Sequence, residues 1–422
     1  MRDLLLGREP GDYDVATSAP PDAVLALFDA AREVGKSFGV VQVQSGDAWI
    51  EVATFRSESA YSDGRHPDHV AFADARTDAG RRDFTVNALY LDPESGEMLD
   101  FFAGRADLEA RLLRSVGVAS DRFSEDALRL LRAVRFATRD GFTIESATWE
   151  ALRAHAPRVA TLAAERVRDE LLAILTGPAP RRGLELLQAA GLLVILLPEV
   201  EAYRGCSQSP DFHPEGDVWE HTLRMLDAMQ SPDDALAWGV LLHDVAKPAT
   251  RSEREGQIHF YGHAERGQDM AAGILDRLRV PLRVQERVQA MIGQHLRFLD
   301  TPRMKPSTLR RFVLQEHFPH LLELHRLDSL GACGDLGNWE RCRRARETVL
   351  LESPAPLKPL LNGDELQALG HAAGPGLGVI LRALVDAQLE GTVTDGAAAE
   401  VWVRRNFPAQ PVLDKSGPES PP

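Results

Sequence analysis

Cysteine is scarce. The 422 residues contain three, Cys206, Cys333 and Cys342, with no CxxC spacing, which argues against a disulfide framework or a cysteine zinc site and fits a reducing compartment. Long apolar runs are also missing. Nothing approaches the roughly 18 residues that a membrane-spanning helix needs, and no signal-peptide pattern opens the sequence. The reading is therefore no membrane partner and a cytoplasmic location. Positive charge is in deficit, with 48 Lys+Arg against 63 Asp+Glu and a net charge of −15. On its own that is a weak argument against a nucleic-acid partner. Yet arginines cluster at Arg76, Arg81 and Arg82 and again at Arg129, Arg132 and Arg135, and local charge, not net charge, decides phosphate binding.

What is present is a globular chain, 44% hydrophobic and long enough for two to four domains. "DYDVAT", "VVQVQ", "AWIEVATF" and "FTVNALYLD" alternate like strands. "PPDAVLALFDAAREV" reads as a helix with proline near its start. From about residue 106 the pattern is helical almost throughout, including the amphipathic "SEDALRLLRAVRFATRD" with Ser124 as its expected N-cap. The stretch "SPAPLKPLLNGDELQALGHAAGPGLG" reads as loop-rich, and the last residues as a disordered tail. The layout is a small α/β head, a helical middle, a histidine-rich helical domain and a short C-terminal helical piece.

Asp12 and Asp14 stand two apart. In a strand, side chains i and i+2 share a face, so two carboxylates aim at one spot and repel unless a hard divalent cation such as Mg²⁺ joins them. Glu51 is a candidate third carboxylate from a neighbouring strand. Two such ions could activate an attacking hydroxyl and neutralise a leaving pyrophosphate. The competing reading is a surface turn, because Gly and Asp favour turns.

"RDLLLGREPGDYDVAT", "ATFRSESAYSDGRHPDHVAF", "RRDFTVNALYLD", "DFFAGRADLEARLLRSVG" and "RFSEDALRLLRAVRFA" occur in order. Together they resemble the bacterial tRNA nucleotidyltransferases (CCA-adding enzymes) and their relatives the bacterial poly(A) polymerases. The resemblance is close over about 1–200 and looser beyond. It implies catalytic Mg²⁺ ions on Asp12 and Asp14, and it matches the nucleotide motif to Arg81, Arg82, Asp83 and Asn87. Guanidinium forks grip phosphate oxygens in bidentate fashion, and Asp83 could orient the sugar or an arginine. A further motif falls on Glu125, Asp126 and Arg129, with Arg132 and Arg135 following as nucleotide-binding candidates. Asp126 and Arg129, read as i and i+3 of one helix, share a face. One accepts hydrogen bonds and the other donates them. Cytosine and adenine present an amino donor beside a ring acceptor; uracil and guanine reverse that order. The pair should accept C and A and reject U and G by leaving buried polar groups unpaired. The alternative for the pair is a surface salt bridge contributing about 0.3–0.5 kcal/mol. "SDGRHPDHV", around Asp63 to His66, resembles the family's flexible loop and speaks against a CC-only enzyme. Glu165 and Arg166 in "LAAERVRDELLAIL" are read as structural.

The family normally begins with a strand and Gly-Gly-x-Val-Arg-Asp. Here Met1 stands at the valine, directly before Arg2 and Asp3, which are retained as nucleotide-binding candidates. Either the start is mis-assigned, the favoured reading, or the head is truncated and impaired.

Further on, "VWEHTL", "LLHDVAK", "YGHAERG", "IGQHLRF" and "LHRLDSLG" place His221, His243, Asp244 and Asp328 in the pattern of the HD superfamily of metal-dependent phosphohydrolases. His263 and His295 are positioned like the extra ligands of its two-metal members. Such a set suits Mn²⁺, Ni²⁺, Co²⁺, Fe²⁺ or Mg²⁺, with Lys247 near phosphate. His213, His259 and His325 are read as packing or surface residues.

The expected fold is an α/β nucleotidyltransferase head with a mixed sheet lacking its first strand, over 1–115. A helical neck and body over 116–205 provides base selection and RNA binding. An all-α HD domain follows over 206–350, then a helical tail over 351–408 and a disordered tail over 409–422. The expected function is template-independent addition of C and A to the 3′ end of tRNA from CTP and ATP, with phosphohydrolase activity in the HD domain. The acceptor arm would be the RNA partner. The alternatives are an A-adding enzyme or poly(A) polymerase, or an HD phosphohydrolase with a degenerate head. The oligomeric state is not legible.

Overall fold

The computed structural model describes residues 1–59, 69–210, 213–352 and 359–408. The loop around Asp63 to His66 and the tail over 409–422 lie outside them. The chain divides into two compact units, Met1–Gln289 and Ala290–Pro422.

The first unit opens with α1 (Arg2–Leu5), β1 (Asp14–Thr17), α2 (Pro21–Leu27), β2 (Ala31–Gly35), β3 (Val40–Ser45) and β4 (Ala48–Thr54). These strands form a mixed sheet in the order β1-β4-β3-β2, with β1 parallel to β4 and the other pairs antiparallel. Val24 from α2 packs on Val41, Val43 and Val52 of the sheet, as alternating β-branched residues on one face require. Two local expectations are corrected. The helix read over "PPDAVLALFDAAREV" stops at Leu27, and "AREVG" becomes edge strand β2 because it pairs with β3. β1 starts at Asp14, so Asp12 lies just ahead of the strand.

The head continues through the hairpin β5 (Arg56–Ser59) with β6 (His69–Phe72), α3 (Ala75–Gly80), a 3₁₀ turn Thr85–Asn87, and the hairpin β7 (Leu89–Leu91) with β8 (Met98–Asp100). Then come α4 (Gly104–Glu109), β9 (Leu112–Leu113), α5 (Ala119–Glu125) and α6 (Leu128–Arg139). Ser124 does not cap α6; it lies within α5. The chain turns at Asp126, extended at φ −139° and ψ 108°, and its carboxylate accepts from the Leu128 N–H at 2.9 Å. α6 buries Leu130, Leu131, Val134 and Phe136 and carries Arg129, Arg132 and Arg135 at three-residue spacing, one stripe along the helix.

β10 (Thr143–Ile144), α7 (Ser146–His155), α8 (Ala164–Leu175) and α9 (Pro180–Ala189) follow. α8 and α9 pack on α6. Gly183 of α9 permits its close approach to α8, since a Cβ there would collide with Ile174. Short helices α10 (Leu193–Leu196) and α11 (Pro198–Glu201) lead to α12 (Val218–Ala228), α13 (Asp234–Leu242), α14 (Lys247–Thr250), the hairpin β11 (Ser252–Arg254) with β12 (Gln257–His259), α15 (His263–Arg277) and α16 (Leu282–Gln294). α13 is apolar and buried on all sides from Ala235 to Leu242, the pattern of a central helix.

In the second unit a 3₁₀ segment (His295–Arg303) precedes α17 (Pro306–Val313), α18 (Phe318–Gly331) and α19 (Gly337–Glu352). Phe298, Phe312 and Phe318 form its aromatic core. The stretch read as loop-rich holds α20 (Gly363–Ala368), fixed by a capping box between Asn362 and Glu365, and the start of α21 (Pro375–Leu389). α22 (Gly396–Asn406) completes a separate core around Leu366, Leu384 and Val403. Among the described residues no helix is long and apolar enough to cross a membrane, and all three cysteines are free.

Candidate active site and candidate metal centre

The parallel register of β1 and β4 sets Asp14 directly opposite Glu51. Partial burial pushes the Asp14 carboxyl above its usual range, and the neighbouring Asp12 adds to it; Glu51 is raised by partial burial and then by Asp14. Asp14 and Glu51 resist ionising side by side, and with the third carboxylate of Asp12 next to them this is the chemistry a hard cation relieves, so the donor set fits Mg²⁺. The group is loose. The histidine clusters described below bring three ligand atoms within 4.8 Å of one another, and Asp12, Asp14 and Glu51 do not.

A cavity of about 320 Å³ is lined by Arg81, Arg82, Asp83, Asn87, Asp126, Leu128, Arg129, Arg132 and Arg166. Five guanidiniums thus meet at one place in a chain of net charge −15. Each is held by the protein. Arg81 donates to Asp78 at 2.8 and 2.9 Å. Arg82 donates to the Asn87 carbonyl at 2.9 Å and lies over the Tyr90 ring. Arg132 grips Asp83 with two nitrogens at 2.8 and 2.7 Å. Asp83 therefore orients an arginine, and it also accepts from Asn87 Nδ2 at 3.0 Å. Burial works to raise the Asp83 carboxyl, but the Arg132 charge and the hydrogen bonds outweigh it, and the net shift is downward.

Asp126 and Arg129 line the same cavity, although Asp126 sits at the break between α5 and α6 and not on one helix face. Asp126 is extended there, one residue ahead of the α6 N-cap Ala127, and its carboxylate accepts from the Leu128 N–H. Asp126 also accepts from Arg166 at 2.8 Å. Arg129 donates to Glu125 at 2.6 Å and to the Arg81 carbonyl at 2.8 Å. Arg2 reaches the cavity wall, donating to Asn87 Oδ1 at 2.7 Å, and Asp3 accepts from Arg2 and Arg139. Arg135 is not in the lining; it donates to Glu170 at 2.7 Å. Arg166, read as structural from the sequence, is in the lining. It enters from α8, forty positions beyond Asp126, and nothing local in the sequence signals that meeting.

The second cluster is buried. α12, capped by Asp217, carries His221; His243 and Asp244 follow the last turn of α13. Ligand atoms of His221, His243 and Asp244 lie within 4.8 Å of one another, all on buried residues. Asp244 Oδ2 is 3.0 Å from His243 Nε2 and 2.7 Å from Lys247 Nζ, and Oδ1 is 3.7 Å from His263 Nε2. Burial opposes the charge on Asp244, yet His243 and Lys247 hold it well below the ordinary carboxylate range. Nδ1 of His243 is 2.9 Å from the Val240 carbonyl and that of His263 is 2.7 Å from Phe260. Each such bond turns an Nε2 lone pair outward, as metal-ligating imidazoles require. Imidazoles with one carboxylate fit a borderline divalent ion. In the second unit, His295 has the same arrangement, with Nδ1 2.7 Å from the Ile292 carbonyl, and Asp328 lies on α18.

Three described families match along the chain: "Poly A polymerase head domain" at residues 1–114, "Probable RNA and SrmB- binding site of polymerase A" at 141–204 and "HD domain" at 217–327. A CC-adding tRNA nucleotidyltransferase of Thermus thermophilus is 36% identical over 409 residues, 93% of this chain and 89% of that protein. The chain belongs to the tRNA nucleotidyltransferase family. An A-adding tRNA nucleotidyltransferase of Deinococcus radiodurans is 35% identical, covering 96% of this chain and 93% of that protein. The crystal structure of the Bacillus stearothermophilus CCA-adding enzyme in complex with CTP superposes with a TM-score of 0.74 at 28% identity, over 96% of this chain and 90% of that one. The mixed-sheet head, helical body and HD domain are thus those of a tRNA nucleotidyltransferase, and both halves belong to metal-dependent families.

Proposed function

We propose that this tRNA nucleotidyltransferase adds C and A, without a nucleic-acid template, to the 3′ end of tRNA in the cytoplasm, taking CTP and ATP as substrates. The observation that carries the reading is the arginine-lined cavity in which Asp126 and Arg129 stand together. Asp12, Asp14 and Glu51 would hold two Mg²⁺ ions, which in such a site activate a hydroxyl and neutralise a departing pyrophosphate. Arg82, Asn87 and Arg132 face the triphosphate, with Arg2 steadying Asn87. The Asp126 carboxylate takes the amino hydrogen of cytosine or adenine, and Arg129 donates to the ring nitrogen beside it. Uracil or guanine would set a carbonyl against the carboxylate and an N–H against the guanidinium, and buried mismatches of that kind are strongly rejected. The 3′-hydroxyl of the tRNA attacks the α-phosphorus and pyrophosphate leaves.

The working division is 1–115 for the head, 116–205 for base selection and RNA binding, 206–350 for the HD domain and 351–408 for the helical tail. In the HD domain, His221, His243, Asp244 and His263 are the proposed ligands of Mn²⁺, Ni²⁺, Co²⁺, Fe²⁺ or Mg²⁺, with phosphoester hydrolysis as the reaction. The resemblance adds His295 and Asp328 to the proposed set. The Deinococcus relative supports a second reading, A addition alone.

One assay separates them. tRNAs ending before CCA, after C and after CC are offered CTP, ATP, UTP and GTP singly with Mg²⁺. Two C and then one A, with U and G refused, supports CCA addition. Incorporation of A alone moves the chain to the A-adding or polyadenylating branch. No incorporation, with 3′-phosphatase activity intact, leaves the HD domain as the working enzyme.

A further inference from the structure

The sequence pattern places His213 among packing or surface residues and carries no signal for Glu215. In the structure they belong to the HD cluster. One oxygen of Glu215, Oε1, is 2.8 Å from His221 Nδ1 and 2.8 Å from His213 Nδ1. The Glu215 side chain is fully buried, and its second oxygen, Oε2, has no hydrogen-bond partner. The two imidazole rings meet edge to face at 5.0 Å, and His221 lies 5.5 Å from His243. A carboxylate only accepts, so both rings carry their hydrogen on Nδ1. The lone pair of His221 is then on Nε2, the nitrogen left to ligate a metal with His243 and Asp244.

The other ring partners in the first unit's cluster are backbone carbonyls, Val240 for His243 and Phe260 for His263. Those cannot be altered by substitution and carry no full charge. Glu215 differs in both respects. A charged acceptor on Nδ1 fixes the tautomer more strongly and makes Nε2 a better electron donor than a carbonyl does.

We infer that Glu215 is a positioning residue for the HD metal, acting through the tautomer and basicity of His221. The inference rests on the HD reading of the cluster. Glutamine at this position is nearly the same shape, but its amide can turn an N–H toward Nδ1. That would move the ring hydrogen to Nε2 and block ligation.

The test titrates the full chain with Co²⁺ in the presence of excess Mg²⁺ and reads the visible absorption of bound Co²⁺. Wild type should show a saturable signal that Asp244→Asn lacks. Glu215→Gln should bind Co²⁺ about 10- to 100-fold more weakly, with Glu215→Asp in between, while CTP incorporation by the head is unchanged in both. Co²⁺ affinity in Glu215→Gln within about a factor of two of wild type would overturn the inference, being far below the change expected of such a partner. Loss of CTP incorporation in step with Co²⁺ binding would also overturn it, by making Glu215 a folding residue. A wild-type titration identical to that of Asp244→Asn is a different result, and it would sink the HD metal reading itself.

Discussion

The two candidate sites of the first unit solve charge in opposite ways. In the head, Asp14 and Glu51 are set by sheet register alone, Asp12 lies just ahead of the strand, and all three residues are largely exposed, while the cavity arginines are each tied to an internal acceptor. In the HD cluster, His221, His243 and Asp244 are buried, and shown partners fix the rings. Oxygen ligands at an exposed strand edge suit a cation that keeps much of its water and arrives with a phosphate. Buried imidazoles suit an ion held by geometry set before the substrate comes. The contrast teaches that the same chain needs little preorganisation where the ligand brings its own charge and much where the protein must supply it.

The largest expected effect is on the side that looks least built. Asp14→Ala should lower nucleotide incorporation by roughly 10³-fold, the scale of losing a main electrostatic element of a transition state, and leave Co²⁺ binding by the HD cluster as in wild type. A parallel loss in both would break the comparison. Next, Asp126→Asn should erode selectivity against UTP and GTP by about 10²-fold, measured as the ratio of kcat/KM values, because an amide can donate where the carboxylate could only accept. Smaller again, Asp83→Asn leaves Arg132 without its charged partner. Removing one member of a buried pair costs 3–5 kcal/mol, and the part-exposed Arg132 reduces this to about 2 kcal/mol, readable as a lower Tm. The least effect is in its pH dependence. Asp83 titrates below its usual 3.8 in the fold, so its contribution is full above about pH 4 and is lost as pH falls through the lower folded value. Stability curves of wild type and Asp83→Asn should therefore converge in acid.

Much of both sites was legible, for a local reason. Arg82, Asp83 and Asn87 lie within six residues of chain, and Asp126 with Arg129 within four, so their grouping survives any uncertainty in packing. His221, His243 and Asp244 were legible from the motif order. What escaped depended on pairing. Arg166 meets Asp126 only because α8 packs on α6. Glu215 matters only because the segment before α12 folds back on His221. For "AREV" the helix has no competitor until β3 offers hydrogen bonds, and Ser124 cannot cap α6 because α5 runs through it to Glu125.

The arginine stripe of α6 has a consequence in solution. Arg129 and Arg132 already carry their counter-charges on Glu125 and Asp83, as Arg81 and Arg166 across the cavity do on Asp78 and Asp126. Few dissolved anions need gather there, and few are freed when a triphosphate arrives. The entropy gained by releasing small ions into the bulk, which makes cationic surfaces so sensitive to ionic strength, is correspondingly small. CTP affinity should weaken with added KCl by less than a wall of five guanidiniums suggests.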